Sequence, residues 1–427
     1  MSGICGLVAL APGVDEGSGL GDMARALARR GPDGVGTWRL GEVGLAHALL
    51  ATTPEALAEA MPLHDAASGC TITADIRLDN RKELADALGL APDAGTMGDG
   101  ELALRAYLHW GEPCLERLLG DFAFAIHDPR RRALFCARDP LGMRPLLWSH
   151  LPGKLFAFAS ETAALLAHPA IPRALDEGRI GDFLVHLEGG DHTSTFRAAI
   201  RRLPPGHSLT CTCDAVSLRR YWSPPAPAVL RLADDAAYEA AFREVLARAV
   251  SARLRGVGRV GVLLSGGIDS GSVAALAAQA LAQEGRGALD VISVTGTDPA
   301  ACVESAAIAA MHALPGMAPH AVPMSLEEGE AQDLVAAIAA GDEPFDGQMP
   351  LIWAAYAHAS RQGIRVMLDG AGADVVLGEG PFVRALVRAG RWRSAWRELH
   401  ARRALTRGGE PLWRAVVRGF APAQLLR

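Results

Sequence analysis

Lysine is nearly missing from this chain: Lys82 and Lys154 are the only two, so almost all of the 42 basic residues are arginine. No lysine therefore follows a glycine-rich loop, which excludes the G-x-x-x-x-G-K-S/T nucleotide cradle. No apolar run approaches the length of a membrane span, and the start has neither the basic stretch nor the long apolar core of a signal peptide. A cytoplasmic protein with no membrane partner is expected. An excess of charge is lacking too: a net charge of −6 and pI ≈ 6.1 give no long-range pull toward nucleic acid, so no nucleic-acid partner is expected. Cysteine is sparse and unpaired, seven residues at positions 5, 70, 114, 136, 211, 213 and 302 with no C-x-x-C repeat, as suits buried thiols in a reducing compartment. Cys211 and Cys213 flank one threonine and read as alternate faces of a strand rather than as a metal site.

What is present fits two or three domains: 427 residues, 50% hydrophobic and 21% charged. Up to about residue 222 the chain carries short alternating apolar runs, at Gly44 to Leu49, Cys70 to Ile76, Asp121 to His127, Ala133 to Arg138 and Leu155 to Ser160. These predict packed antiparallel sheets, with helices at Leu20 to Arg29, Glu101 to His109 and Arg179 to Leu187. Ser223-Pro224-Pro225-Ala226-Pro227 can continue neither element, and residues 223–233 read as a linker. From 234 to 427 the pattern becomes Ala- and Leu-rich helices alternating with buried strands: Tyr238 to Leu254, Val260 to Leu264, Gly271 to Gln283, Asp290 to Thr295, Ala331 to Ala340, Leu351 to Gln362 and Val366 to Asp369. That alternation predicts an α/β, doubly wound parallel sheet with its ligand site at the strands' carboxyl ends.

One such end carries Ser265-Gly266-Gly267-Ile268-Asp269-Ser270 after the strand Val260 to Leu264 and before an Ala-rich helix. Glycines let backbone N–H groups approach an anion, Ser265 and Ser270 add hydroxyl donors, and a helix start adds partial positive charge. Asp269 can then hold Mg²⁺ against the phosphates of ATP. A second loop, Asp369-Gly370-Ala371-Gly372-Ala373-Asp374, follows another apolar strand with the same character. Alone it reads as a structural turn. Paired with the first, it predicts Asp269 and Asp374 gripping Mg²⁺ from opposite sides of the triphosphate.

The first loop resembles the SGGxDS pyrophosphate loop of the ATP pyrophosphatase superfamily, and the two loops together resemble the asparagine synthetase family. Further matches are Arg30-Gly31-Pro32-Asp33 with that family's glutamine-binding RGPD turn, Gly98-Asp99-Gly100-Glu101 with its SDxE turn, and Gly120 to Ala125 and Ala137 to Gly142 with its GxFAFA and RDxLG stretches. Ser160-Glu161, Leu203-Pro204-Pro205-Gly206 and Tyr221-Trp222 resemble its ASE, PPG and domain-ending YW. The resemblance implies an N-terminal Ntn-hydrolase-like α+β sandwich at 1–222, a class II glutamine-amidotransferase-like domain, and an adenine nucleotide alpha-hydrolase-like synthetase domain at 234–427. It further implies that Leu263, Ser265, Gly266, Gly267, Asp269, Ser270, Val294, Asp369 and Gly370 bind ATP or pyrophosphate, with Asp269 and Asp374 catalytic.

The glutaminase half departs from the pattern. The family begins Met-Cys-Gly-Ile, and its cysteine attacks glutamine; here Met1-Ser2-Gly3-Ile4 puts Ser2 in that place. A hydroxyl is a poorer nucleophile at neutral pH than a partly ionised thiol, and Cys5 sits too far inside the chain to use an α-amine. The family's Asn-Gly-Glu segment aligns near Ala74-Asp75-Ile76, where a carboxylate would oppose a developing oxyanion. Glutamine hydrolysis is expected to be absent, leaving Ser2, Arg30 and Asp99 as remnants of the site.

Members without a working ammonia source include β-lactam synthetases and lasso peptide cyclases, which adenylate a carboxylate and let an amine of the same molecule attack. Ala74 to Leu84 and Asp342-Glu343-Pro344-Phe345 resemble the lasso cyclases most. That branch implies a precursor peptide as substrate, with a leader-peptide-binding protein and a protease as partners. Ala371 stands where asparagine synthetases carry an acid and β-lactam synthetases a tyrosine, and no lysine follows Asp374. The expected function is thus an ATP- and Mg²⁺-dependent amide-forming ligase, most closely a lasso peptide macrolactam cyclase. A glutamine-hydrolysing asparagine synthetase is the enzyme alternative, and a non-catalytic ATP-binding partner protein the alternative of another class. The arginine-rich end from Arg384 to Arg427, with Trp392, Trp396 and Trp413, reads as a solvated helical pair whose tryptophans reach a core, with a peptide-docking or nucleic-acid surface as the alternative; the shortness of this domain reads equally as a truncated reading frame with a defective site.

Overall fold

A computed structural model describes residues 1–14, 19–90, 95–185, 191–225, 229–296, 303–323, 328–340, 349–373 and 382–405. Its N-terminal part stacks two six-stranded antiparallel sheets. One is ordered β10-β8-β9-β1-β3-β2, from Arg201–Arg202, Leu147–Leu151, Leu155–Ala159, Gly3–Ala9, Val43–Leu49 and Gly34–Leu40. The other is ordered β12-β11-β7-β6-β5-β4, from Val216–Arg220, His207–Cys211, Ala133–Arg138, Gly120–Asp128, Thr71–Leu78 and Leu63–His64. The period-2 pleat sorts β1: Ile4 points into the inter-sheet core with Leu45, Ala123, Phe156 and Phe158, while Cys5 and Leu7 face the outer layer. That layer is α1 (Gly19–Ala26) and α4 (Thr162–Leu166). The second sheet is covered by α2 (Arg81–Leu88) and α3 (Asp99–Trp110) through Leu84, Leu102 and Tyr107. Because every strand near the centre is buried on both faces, its sequence is a nearly continuous apolar run. A further helix, α5 (Glu177–Leu184), is N-capped by Asp176, which accepts from the Arg179 N–H.

The C-terminal part is a four-stranded, all-parallel sheet in the order β15-β14-β13-β16, from Met317–Pro323, Leu289–Thr295, Val260–Leu263 and Val366–Leu368. Helices α6 (Asp235–Arg253) and α7 (Ile268–Gln283) pack on one face through Val250, Leu254, Ala274, Ala277 and Leu281. On the other face α10 (Met349–Arg361) sets Ala354, Ala355 and Ala359 against Ile292 and Val322. The sheet is therefore wound on both sides. Between them run α8 (Val303–His312) and α9 (Glu328–Ala340), and α11 (Phe382–Arg388) and α12 (Trp392–Leu405) close the described chain.

Three sequence expectations change. The pattern does not announce α8 or β15, because Pro319 and Pro323 argue against a strand; β15 tolerates them as an edge strand, where a missing N–H costs no ladder bond on the open side. Trp392 and Trp396 do not reach a core: they are 58% and 51% exposed, and the pair of final helices packs through Val383, Leu386 and Ala395 instead. Cys211 and Cys213 are not alternate faces of one strand: residues two apart on a strand share a face, and Cys213 lies beyond the end of β11, exposed where Cys211 is buried. No described helix is long and apolar enough to cross a membrane.

Candidate functional site

The loop after β13 is shaped by its own serines. Ser270 accepts from the Ser265 N–H at 3.2 Å and its Oγ lies 3.1 Å from Ser265 Oγ, which folds the loop back on the first turn of α7. Gly266 has φ +80°, and a Cβ there would stand 2.9 Å from the Glu304 carbonyl oxygen. Gly267 is the N-cap of α7 and offers no side chain to the helix. The first-turn N–H groups of Ile268, Asp269 and Ser270 consequently have no acceptor on the helix itself and converge with the helix dipole on the space over the loop. Asp269 is half-buried and makes no hydrogen bond or ion pair among the described residues.

The second loop meets the first. Gly370 lies on the peptide joining Asp269 to Ser270: a Cβ at this position would stand 2.6 Å from the Ser270 nitrogen and 2.9 Å from the Asp269 carbonyl carbon. Asp369 is braced, accepting from the Ala371 N–H at 3.0 Å and from the Tyr356 hydroxyl at 3.2 Å. Burial, with Asp369 beside it, pushes the Tyr356 hydroxyl up to about 12. Leu263 and Val294, at the carboxyl ends of adjacent strands, join one apolar patch with Trp353 and Met367. So Leu263, Ser265, Gly266, Gly267, Asp269, Ser270, Val294, Asp369 and Gly370 share one end of the sheet. Asp374 lies outside the described residues, as do Asp342 to Phe345 and Trp413. Among the described residues no group of three or more His, Cys, Asp or Glu could hold a metal by itself. Mg²⁺ held by Asp269 would thus take its remaining ligands from phosphate and water, which is how this ion is commonly bound.

In the N-terminal part, Ser2 is buried and its hydroxyl is spent on the backbone: Leu50 N–H donates to it at 3.0 Å, and it donates to the Leu50 carbonyl at 3.4 Å. Arg30 donates to the Ser2 carbonyl at 3.3 Å and to Glu161 at 2.5 Å. Asp75 is 4% exposed, with Oδ1 3.5 Å from Arg144 and Oδ2 without a hydrogen-bond partner among the described residues. Burial pushes the nearby His47 down to about 4 against the pull of Asp75, so this histidine is neutral near pH 7. Burial also pushes the Cys5 thiol up to about 12, which leaves it a packing group.

Asp99 is tied elsewhere. It accepts from Leu78 N–H at 3.0 Å, from Arg81, and from Arg255 at 2.7 Å, and Arg255 follows α6. Arg255 also pairs with Glu55 at 2.6 Å, while Arg253 grips Asp121 with both prongs and Asp79 at 3.0 Å. Arg77 caps α6 by donating to the Ala252 carbonyl at 2.6 Å. These arginines form a charged seam between the two parts of the chain. Sequence reasoning missed Arg253 and Arg255; the arginine bias was the available signal, without a partner to aim it at.

Beside Asp99, burial pushes Glu59 up to about 7 from 4.5, although it accepts from the Glu101 N–H at 3.0 Å. The native state then binds more protons than the unfolded chain between those values, so stability falls as pH rises from about 4.5 to about 7 and levels off above. Glu59→Gln keeps the acceptor and removes the charge. In urea unfolding the variant should match wild type toward pH 4.5 and exceed it at pH 8 by on the order of 1–3 kcal/mol.

Comparison with known proteins matches residues 1–222 to the family described as glutamine amidotransferase domain and residues 241–425 to the one described as asparagine synthase. Glutamine-hydrolyzing asparagine synthetase 3 of Bacillus subtilis is 31% identical over 66% of this chain and 46% of its own length. A putative glutamine-hydrolyzing asparagine synthetase of Mycobacterium tuberculosis is 33% identical over 64% of this chain and 46% of its own. Amidase chyE of Penicillium rubens is 29% identical over 81% and 52%. The chain thus spans about half the length of the curated relatives it matches. Among solved structures, a glutamine phosphoribosylpyrophosphate amidotransferase from B. subtilis aligns over 88% of this chain and 92% of its own, with TM-score 0.38 and 15% identity.

Proposed function

This chain belongs to the asparagine synthetase family, and we propose from that premise that it is an ATP-dependent ligase that activates a carboxylate and joins it to a nitrogen nucleophile. One observation carries the reading. Two glycine loops at adjacent strand tips meet at the Asp269–Ser270 peptide, with the Asp269 carboxylate without a partner among the described residues and beside first-turn helix N–H groups.

That chemistry fits a nucleotide triphosphate. The N–H groups of Ile268, Asp269 and Ser270 and the Ser265 hydroxyl would hold β- and γ-phosphate oxygens, and Mg²⁺ on Asp269 would offset charge on the departing pyrophosphate. A substrate carboxylate oxygen attacks the α-phosphorus and the bond to pyrophosphate breaks; an amine then displaces AMP from the activated carbonyl. Fixed loops orient these groups, and orientation is a large share of such catalysis. Tyr356, kept protonated by burial and Asp369, is a neutral donor at the rim.

The relatives named above favour aspartate as the acid. Ser2, its hydroxyl hydrogen-bonded to the Leu50 backbone, favours a nitrogen that does not come from glutamine. For that second reason an intramolecular amine, as in a lasso precursor peptide cyclised with the help of a leader-binding protein and a protease, stands as the second reading. Pyrophosphate release separates them. With ATP, Mg²⁺ and aspartate, release is expected with ammonium, and glutamine should yield no glutamate above background. Release only with a peptide carrying an internal Asp or Glu would turn the assignment to the cyclase, glutamate release would restore the glutaminase, and no release with any acid would leave the non-catalytic ATP-binding protein.

A further inference from the structure

Strand β16 has little of its own to hold it. It is three residues long and half-buried throughout, and among the described residues it pairs with β13 alone, through Val260↔Val366, Gly261↔Met367 and Val262↔Leu368. Yet its last residue leads straight into the Asp369–Gly372 turn that rests on the Asp269–Ser270 peptide. A short edge strand frays readily, and fraying here would carry that turn with it.

The N-terminal part supplies an anchor. Arg365, immediately before β16, lays both prongs of its guanidinium on Asp33: Nη1 to Oδ2 at 2.5 Å and Nη2 to Oδ1 at 2.9 Å. Asp33 also accepts from the Ala51 N–H at 2.9 Å, and Arg365 reaches the Ala51 carbonyl at 3.4 Å. The carboxylate is therefore fixed from two sides, and Arg365 holds it below the usual carboxylate range. One residue further, the Thr52 carbonyl accepts from Val257 N–H at 3.0 Å, so the same segment steadies the approach to β13. The segment is itself pinned at Leu50 by the Ser2 hydroxyl, while Arg30 of the turn containing Asp33 holds the Ser2 carbonyl. Two-pronged pairing fixes orientation as well as distance, which a single contact does not.

We propose that Asp33 is a positioning residue for the C-terminal site: by gripping Arg365 it registers edge strand β16 and sets the Asp369–Gly372 turn against the Ser265–Ser270 loop. Three residues of extended chain, four steps or about 13 Å, lie between its partner Arg365 and Asp369. The N-terminal part, without a free nucleophile at Ser2, thereby keeps a mechanical part in the ligase. The catalytic consequence rests on the function proposed above; the structural one does not.

The test uses the full chain and two readouts. Arg365→Met and Asp33→Asn should raise hydrogen exchange of the amides of 366–372 by about three- to tenfold while leaving β6 and β7 unchanged. The exchanged pair, Asp33→Arg with Arg365→Asp, should recover protection lost in either single change. Where the wild type releases pyrophosphate, the single variants should raise the KM for ATP more than they lower kcat. Unchanged exchange at 366–372 in both single variants, or a double variant no better protected than its parents, overturns the proposal. A wild type silent with every acid defeats the ligase reading alone, since the exchange readout needs no turnover.

Discussion

Asp269→Ala should abolish pyrophosphate release, by about 100-fold or more, and leave the fold intact. The size follows from the role: a carboxylate that holds the metal against transferring phosphates acts on charge that grows toward the transition state, and removing one such group costs several kcal/mol of barrier. The intact fold follows from the geometry, because Asp269 has no hydrogen-bond or ion-pair partner among the described residues to lose. Its backbone role, as a first-turn N–H of α7 and as the surface under Gly370, survives the change to alanine. The thermal midpoint should therefore stay within about 2 °C while turnover disappears, since truncating a half-buried side chain that has no partner to lose moves stability little. Ser270→Ala makes the useful contrast. The Ser270 hydroxyl joins the Ser265 backbone and side chain, so its loss should lower turnover and loosen the loop together. Turnover of Asp269→Ala within about threefold of wild type would remove the ligand role from this residue.

Asp99→Ala should be among the most destabilising single changes in the N-terminal part, at about 3–5 kcal/mol, because deleting one partner of a buried pair strands the other charge. Its side chain is 3% exposed and takes Arg81, Arg255 and the Leu78 N–H at once. Without it, Arg81 and Arg255 share the carboxylate of Glu55, 3.7 Å from one and 2.6 Å from the other, and otherwise keep the neutral Met97 and Leu78 carbonyls at 2.7 and 3.1 Å. Arg255→Ala should cost less, since Asp99 keeps Arg81 and the backbone donor. Urea unfolding of the full chain, followed by the fluorescence of N-terminal tryptophans such as Trp110, reads both. A loss under about 1 kcal/mol for Asp99→Ala would mean that water or a relaxed Arg81 satisfies the site. The resemblance assigns Asp99 to glutamine binding; its contacts give it the seam between the two parts of the chain.

The elements legible in the sequence were those whose pattern is local. Ala133–Arg138 reads as a strand from its unbroken apolar run, Val260–Leu263 from β-branched residues ahead of paired glycines, and Ile268–Gln283 from alanine and leucine at helical spacing. The strand at Met317–Pro323 was not legible, because its prolines are permitted only by its place at an edge, and an edge is a property of the assembled sheet. The outward tryptophans of the last described helices were misjudged for a related reason: among the described residues Val383, Leu386, Val387 and Ala395 pack that pair, and a sequence does not say which face finds a neighbour.

The site divides in the same way. Residue type and order set the expectation of an anion cradle at Ser265 to Ser270, since a strand, two glycines, an acid and a helix start in that order can present backbone N–H groups to a phosphate. Residue type also disclosed the change at Ser2, because a hydroxyl in place of a thiol is a difference of atoms. Only the tertiary structure decided what those residues meet: that Gly370 lies on the Asp269–Ser270 peptide, that Asp99 is taken by Arg255, and that Asp33 reaches across to Arg365. Each of these pairs lies more than a hundred residues apart in sequence, except for Gly370 and the loop beneath it, which are separated by about a hundred. Short-range preferences set the strand, turn and helix, whereas partners so far apart are chosen by how whole layers pack, and that packing is a sum over the core which no single stretch of chain contains.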